Sequence, residues 1–174
     1  MAIEPSTGDV APPFELPEAY GGEVVLSELL RNHIVVLAFY PSPFGMMCAV
    51  EMRQFKSMYE DFKKASIEIL GITTSSRFVL SAWRERLNLP FPQLSDYGGE
   101  ISVAYGVLAG EEGALRGRSN RAVFIIDQRG IIRYRWVSPD IIQAQEPDYD
   151  AVLSLCRSIA DEPNPSPVPA DNTH

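Results

Sequence analysis

An unbroken run of seven apolar residues, Ile34 to Tyr40, places the strongest constraint on how this 174-residue chain folds. The run is rich in β-branched and aromatic residues and has no alternating polar positions that could face solvent. This pattern is typical of a strand buried on both faces. A proline-containing turn, Pro41 to Gly45, follows directly, and from Met47 apolar residues recur at helical spacing. We therefore expect a central strand that leads through a tight turn into a helix.

The rest of the pattern alternates strands with helices. Strands are predicted over 24–26, 67–73, 91–94, 122–126 and 131–137. Helices are predicted after a cap at Ser75 or Ser76 and over 101–107 and 149–160. The alternation implies parallel pairing, and Asp127-Gln-Arg-Gly130 between the last two strands indicates an antiparallel hairpin. We expect an α/β domain over residues 1–160, with a central mixed sheet, helices on both faces and an N-terminal extension. The proline-rich residues 161–174 are predicted to be a disordered tail.

The sequence also predicts the cap of one short helix and the buried face of another. Ser27 is predicted to cap a single helical turn that ends at Leu30. The helix capped by Ser75 or Ser76 is predicted to bury one apolar face, made of Val79, Ala82, Trp83 and Leu87.

Charge and composition exclude several classes of function. The net charge of −8 disfavours nucleic-acid binding, because phosphate neutralisation supplies most non-specific affinity. The longest apolar run is far below the ~20 residues of a membrane span, and the start lacks the basic and apolar regions of a signal peptide. Two cysteines and two histidines leave little to build a metal site. We expect a cytoplasmic protein without metal, cofactor, nucleic acid or membrane partner.

Cys48 is the strongest candidate for a chemically reactive residue. It lies where the predicted helix begins, so unpaired backbone N–H groups and the positive end of the helix dipole favour its thiolate. A thiolate is the nucleophilic form of cysteine. The alternative is that Cys48 only packs, since free cysteine is among the most buried residue types.

The surrounding segment, Phe39-Tyr-Pro-Ser-Pro-Phe-Gly-Met-Met-Cys48-Ala-Val-Glu51, resembles the active-site segment of peroxiredoxins. That family's pattern is Pro-x-x-x-Thr-x-x-Cys, followed three residues later by Glu or Gln, and Pro41, Cys48 and Glu51 match it. The similarity continues, in order, from about residue 8 to 160. It includes Gly8-Asp-Val-Ala-Pro-Pro-Phe14, Trp83, Leu89-Pro-Phe-Pro-Gln-Leu-Ser-Asp96 and Arg121-Ala-Val-Phe-Ile-Ile-Asp127.

The resemblance implies a thioredoxin-like fold and a thiol peroxidase that forms a sulfenic acid on Cys48. It places Arg121 at the family's catalytic arginine, where a guanidinium would stabilise the thiolate and bind the peroxide. It also implies that Pro41 shields the sulfur and that Glu51 orients Arg121. Hydrogen peroxide or an organic hydroperoxide would be the substrate.

One position departs from the family pattern: Gly45 stands where the family has threonine. The missing hydroxyl would contact the thiolate and the bound peroxide, and losing one such donor costs on the order of 10²–10³ in rate. Ser42 is out of register to replace it. Phe44, Gly45 and Trp83 are the expected substrate pocket.

Recycling of the oxidised sulfur needs a second thiol. Arg53 occupies the position five residues after Cys48 where some peroxiredoxins carry a resolving cysteine. Cys156 is the remaining candidate, although Val152, Cys156 and Ile159 share one helix face, which favours core packing. We expect an enzyme similar to the AhpE-like one-cysteine group, reduced by an external thiol or redoxin, with homodimerisation possible by analogy with the family.

The sequence lacks the second group that other cysteine enzymes need. A dithiol oxidoreductase would need a second cysteine three residues from Cys48, and a cysteine hydrolase would need a histidine base. His33 is separated from the turn by a strand of roughly 23 Å. A catalytically weak redox sensor or thiol-dependent binding protein is the main alternative, because Gly45 removes the threonine hydroxyl.

Overall fold

The computed structural model describes residues 4–110, 113–141, 143 and 145–163. In chain order the elements are β1 (Glu15–Pro17), β2 (Glu23–Val25), α1 (Leu26–Leu29), β3 (Ile34–Phe39), α2 (Met46–Lys64), β4 (Ile67–Thr73), α3 (Arg77–Leu87), β5 (Gln93–Ser95), α4 (Glu100–Ala104), β6 (Ala122–Ile126), β7 (Ile132–Val137) and α5 (Tyr149–Ala160).

Strand β3 is the centre of a five-stranded sheet in the order β5-β4-β3-β6-β7. It pairs in parallel with β4, which pairs in parallel with β5, and it pairs antiparallel with β6, which forms the hairpin with β7. All six residues of β3 are buried, as the continuous apolar run predicts. The predicted mixed sheet is therefore confirmed, and β1 and β2 form a separate two-stranded sheet.

Alternate residues of the central strands enter two hydrophobic clusters, one on each face of the sheet. On one face, Val36 and Ala38 pack with apolar residues of α2, α3 and α5. On the other face, Val35 and Leu37 pack with α1, the residue after α4 and the N-terminal segment. Helices thus cover both faces, which confirms the expected α/β architecture.

The β6–β7 turn shows how the predicted hairpin closes. One carboxylate oxygen of Asp127 accepts hydrogen bonds from the backbone N–H groups of Arg129 and Ile131, each at 3.0 Å. Gly130 has a φ of 81°, a left-handed conformation that glycine adopts without steric cost. The residues that indicated the turn are therefore those that build it.

Two local predictions were wrong. Ser27 lies inside α1 and caps nothing; the helix begins at the buried Leu26, whose N–H donates to the carbonyl of Phe14. On α3, Val79 and Ala82 are exposed, and the buried face consists of Leu80, Trp83 and Leu87. Of the two predicted caps, Ser76 is the one that caps α3, and the buried face is set by packing against the sheet.

Within the described ranges, no helix combines the length and apolarity that a membrane crossing requires. Residues 164–174, most of the predicted tail, lie outside the described residues, so the boundary at residue 160 stays a prediction.

The core should tolerate truncation of its aromatic residues poorly. Phe62, a fully buried residue of α2, should lose about 3–5 kcal/mol of unfolding free energy on Phe62→Ala, through lost burial and a residual cavity. Phe78→Ala on the exposed side of α3 is the matched control and should stay within about 0.5 kcal/mol of the wild type. Urea unfolding measures both, and equal losses would contradict this assignment of the core.

Candidate active site

The pairing of β3 with β6 brings together residues that are far apart in sequence. Ala122 pairs with Phe39, the last residue of β3. Arg121, one residue before β6, therefore lies beside Tyr40, where the chain leaves the sheet for the turn that precedes α2 and Cys48. A separation of 73 residues becomes a side-chain contact.

Cys48 lies in the first turn of α2. Gly45 is the N-cap residue and offers no side-chain cap, so no side-chain hydroxyl or carboxylate occupies the start of the helix. The first turn also lacks an acidic residue. This leaves the positive end of the helix dipole facing the Cys48 region, as the sequence predicted. Cys48 is buried, with 4% of the residue exposed.

Arg121 connects the sulfur to a buried carboxylate. Its Nη2 lies 3.5 Å from Cys48 Sγ, and its Nη1 donates to Glu51 Oε2. Cys48 and Glu51 are three residues apart and share one face of α2. The structure thus brings together three predicted site residues in one buried cluster.

Glu51 is an unusual carboxylate for a helix. It is fully buried, and its Oε1 has no hydrogen-bond partner among the described residues. Burial raises the pKa of Glu51 to about 7, although the charge of Arg121 opposes that rise. The pair therefore sits near the balance between an ion pair and a neutral acid close to neutral pH.

Gly45, the last residue of the turn, lies beside the sulfur. A Cβ placed on Gly45 would lie 3.4 Å from Cys48 Sγ and 3.1 Å from the Ser42 carbonyl oxygen. The position that lacks the hydroxyl is thus adjacent to the sulfur. Ser42 offers no substitute, because its hydroxyl donates to the Pro43 carbonyl at 2.9 Å. Pro41 is buried, and its carbonyl faces Thr73 Oγ1 at 3.5 Å.

The two aromatic residues of the expected substrate pocket are in contact. The rings of Phe44 and Trp83 lie 5.3 Å apart, and Trp83 also packs near Tyr40 at 6.4 Å. Phe44 is 57% exposed and has a φ of 63°, which is rare for a residue with a side chain. Strained backbone of this kind clusters at functional sites.

Sequence reasoning missed three polar neighbours of this cluster. The hydroxyl of Tyr40 donates to Gln93 Oε1 at 2.6 Å, and both residues are fully buried. Tyr149, at the start of α5, donates to Glu146 at 2.9 Å, and burial together with the charge of Glu51 raises the pKa of Tyr149. The hydroxyl of Tyr40 at the end of an apolar run was a signal for a polar contact in the sequence. Nothing in the local sequence indicates that Gln93 or Tyr149 lies near the site.

Cys156 lies far from this cluster. Helices α2 and α5 run in the same direction, since Tyr149 contacts Phe55 and Arg157 approaches Asp61 at 4.0 Å. Cys156 is therefore level with about residue 60 of α2, roughly 18 Å along the helix from Cys48 at 1.5 Å per residue. A disulfide requires Cα atoms within about 7 Å. Burial raises the pKa of Cys156 to about 12.

A cavity of about 390 Å³ lies at the other end of β3, between Ile34, the β6–β7 turn and the end of α5. Cys48 follows the opposite end of that strand, so this cavity is separate from the candidate site. Among the described residues, no group of three or more His, Cys, Asp or Glu side chains is placed to hold a metal ion.

Comparison with known proteins identifies relatives over most of the chain. Residues 7–135 match the model of the AhpC/TSA family. A selenocysteine-containing peroxiredoxin, PrxU, of Peptoclostridium acidaminophilum is 38% identical over 138 residues, covering 74% of this chain and 66% of that protein. A chloroplastic 2-cysteine peroxiredoxin of Chattonella marina var. antiqua is 36% identical over 141 residues, covering 75% of this chain and 70% of its own length.

A solved structure also shares this fold. The crystal structure of peroxidoxin BcpB from Mycobacterium tuberculosis superposes with a TM-score of 0.78 at 27% identity, covering 90% of this chain and 99% of that one. The thioredoxin-like fold expected from the resemblance is therefore confirmed.

The raised pKa of Glu51 predicts a pH-dependent stability. The folded protein holds this proton more tightly than the unfolded chain, so stability should fall as pH rises from 4.5 to about 7. Glu51→Gln removes the titrating group, so its unfolding free energy should lose this part of the pH dependence. Urea unfolding across that range measures the effect, with the exposed Glu60→Gln on the same helix as control. Identical pH slopes for wild type and Glu51→Gln would contradict the prediction.

Proposed function

The chain belongs to the AhpC/TSA family and is a thiol peroxidase of the peroxiredoxin type, and from this premise we propose that Cys48 reduces hydrogen peroxide or organic hydroperoxides through a sulfenic acid. The observation that carries the proposal is the contact of Arg121 with both Cys48 and Glu51. A guanidinium held in this way stabilises a thiolate and still has donors for peroxide oxygens.

In the proposed step the Cys48 thiolate attacks the terminal oxygen of the hydroperoxide. An S–O bond forms as the O–O bond breaks, and two electrons pass from sulfur to the peroxide. The sulfur becomes a sulfenic acid, and the departing alkoxide or hydroxide takes up a proton to leave as alcohol or water. Arg121 favours this step by stabilising the negative charge that moves from sulfur to oxygen. Glu51 fixes the guanidinium, and Pro41 limits access of water.

The oxidised sulfur must then be reduced by a thiol from outside the folded chain. This part of the proposal is supported by the separation between Cys48 and Cys156 and by the burial of Cys156. An external thiol or a redoxin would form a mixed disulfide with Cys48, releasing water, and a second thiol would release reduced Cys48. Phe44 and Trp83 supply an apolar wall that favours an organic hydroperoxide.

The two cysteines provide a matched test of this proposal. Cys48→Ala should abolish peroxide consumption, because it removes the nucleophile. Cys156→Ala should retain turnover with added thiol, and the oxidised wild type should show no disulfide within the chain. Stopped-flow kinetics and intact-mass spectrometry measure these results. Oxidation of wild-type Cys48 no faster than a free cysteine thiolate would refute the peroxidase, and loss of turnover in Cys156→Ala would refute recycling by an external thiol.

A redox sensor or thiol-dependent binding protein is the second candidate. The observation that favours it is Gly45, because the site lacks the hydroxyl expected beside the sulfur. Slow oxidation of Cys48 without thiol-dependent turnover would select this function.

Restoring the hydroxyl should accelerate peroxide reduction. Gly45 has φ −67° and ψ 139°, which residues with side chains adopt readily, so Gly45→Thr fits the backbone. Its hydroxyl would lie near Cys48 Sγ, and we expect the second-order rate constant to rise by up to about 10²-fold. Gly45→Ala is the control for the crowding of the Ser42 carbonyl and should give no acceleration. If Gly45→Thr reacts no faster than Gly45→Ala, the missing hydroxyl does not limit the rate.

A further inference from the structure

The hydrogen bonding between β6 and β7 changes at the residue that contacts the sulfur. Arg121 and Ser138 lie opposite each other, one position beyond the Ala122–Val137 pair, and the Ser138 N–H donates to the Arg121 carbonyl at 2.8 Å. In a regular antiparallel pair of this type, the Arg121 N–H would donate back to the Ser138 carbonyl. The side chain of Asn120 binds both of those groups instead.

The amide of Asn120 forms a bridge between the two main chains. Its Oδ1 accepts the Arg121 N–H at 2.7 Å, and its Nδ2 donates to the Ser138 carbonyl at 3.0 Å. The reversed amide would set its oxygen against a carbonyl and its NH₂ group against an N–H, so these neighbours fix its orientation. Arg121 and Ser138 are both buried, and buried main-chain groups need such partners. The width of the amide therefore separates the strands at this end of the hairpin.

Asn120 is also anchored from the side of the preceding loop. Its own N–H donates to the Val107 carbonyl at 2.6 Å. The residue before it, Ser119, is fully buried, and its hydroxyl lies 2.6 Å from the hydroxyl of Ser102 in α4. The main chain that enters Arg121 is thus held at two successive residues, which leaves the bridge little freedom to move.

The main chain of Arg121 decides which groups its guanidinium can reach. The side chain extends from the end of β6 to two groups of α2, with Nη2 3.5 Å from Cys48 Sγ and Nη1 donating to Glu51. In a side chain of this length, a small rotation of the backbone becomes a larger displacement of the tip. Keeping both contacts therefore requires a fixed backbone, and the Asn120 bridge with the Ser138 N–H supplies it.

We infer that Asn120 is a positioning residue of the peroxide site: its amide replaces the direct bond from Arg121 to Ser138 and so holds the guanidinium against Cys48 and Glu51 together. This inference rests on the proposed peroxidase function. Asn120 acts only through Arg121 and makes no contact with the hydroperoxide.

Variants of Asn120 test the inference. Asn120→Ala lets the Arg121 N–H bond directly to the Ser138 carbonyl and draws Arg121 toward β7. The second-order rate constant of Cys48 oxidation should then fall by about 10- to 10²-fold, because displacements of about 1 Å have effects of this size. Asn120→Asp keeps the oxygen that accepts the Arg121 N–H and should retain more of the rate than Asn120→Ala. Stopped-flow kinetics measures both variants.

Two further measurements separate positioning from simple support of the fold. The pH profile of Cys48 alkylation should move to higher pH in Asn120→Ala, because the thiolate loses a cationic neighbour. In an Arg121→Gln background, Asn120→Ala should add no further loss of rate, since it acts through the guanidinium. Ser119→Ala is the matched control: it removes a buried hydrogen bond one residue away but leaves the bridge intact, so it should lower stability alone.

An Asn120→Ala variant with lower stability but the wild-type rate and alkylation profile would overturn the inference. An equal further loss of rate in the Arg121→Gln background would overturn it as well. In both cases rapid oxidation of wild-type Cys48, abolished in Cys48→Ala, would leave the peroxidase proposal standing. Slow oxidation of the wild type would refute the peroxidase instead, and the alkylation profile would still decide whether Asn120 positions Arg121.

Discussion

The buried contact of one guanidinium with a carboxylate and a sulfur is the interaction on which the rest of the site depends. Removing two charges from water is costly, and Arg121 and Glu51 recover that cost only by remaining paired. Breaking such a pair typically costs about 3–5 kcal/mol. Cys48 is the third member of this cluster, so any charge on its sulfur interacts with both Arg121 and Glu51.

This arrangement depends on the register of the central sheet. Arg121 reaches the helix only because β6 runs antiparallel to β3 with Ala122 opposite Phe39. A register shift of one residue would turn the side chains of β6 to the other face of the sheet. The fully buried central strand makes such a shift costly, because both faces carry packed clusters. The strand that forms the core thus also fixes the geometry of the site.

The surroundings of the sulfur lack one expected hydroxyl group and contain one buried polar pair. Gly45 leaves space where a hydroxyl would lie, while Tyr40 and Gln93 add a buried polar pair on the sheet side. A buried polar pair of this kind is stable only when its groups satisfy one another, and the short hydrogen bond between them does so. The second thiol, Cys156, belongs to the packing of α5 against α2 and lies too far away to share in the chemistry.

The sequence by itself determined the order of strands and helices, the buried strand before the turn, and the placement of Cys48 at a helix start. These features depend on local periodicity and turn residues, which can be identified from one sequence. It also indicated Arg121, Pro41 and Glu51 through a family pattern. Only the tertiary structure decided the buried face of α3, the distance between the two cysteines and the contact of Gln93 with Tyr40. The contact of Gln93 with Tyr40 joins residues 53 positions apart in the chain, and such contacts are set by how the helices and strands pack together.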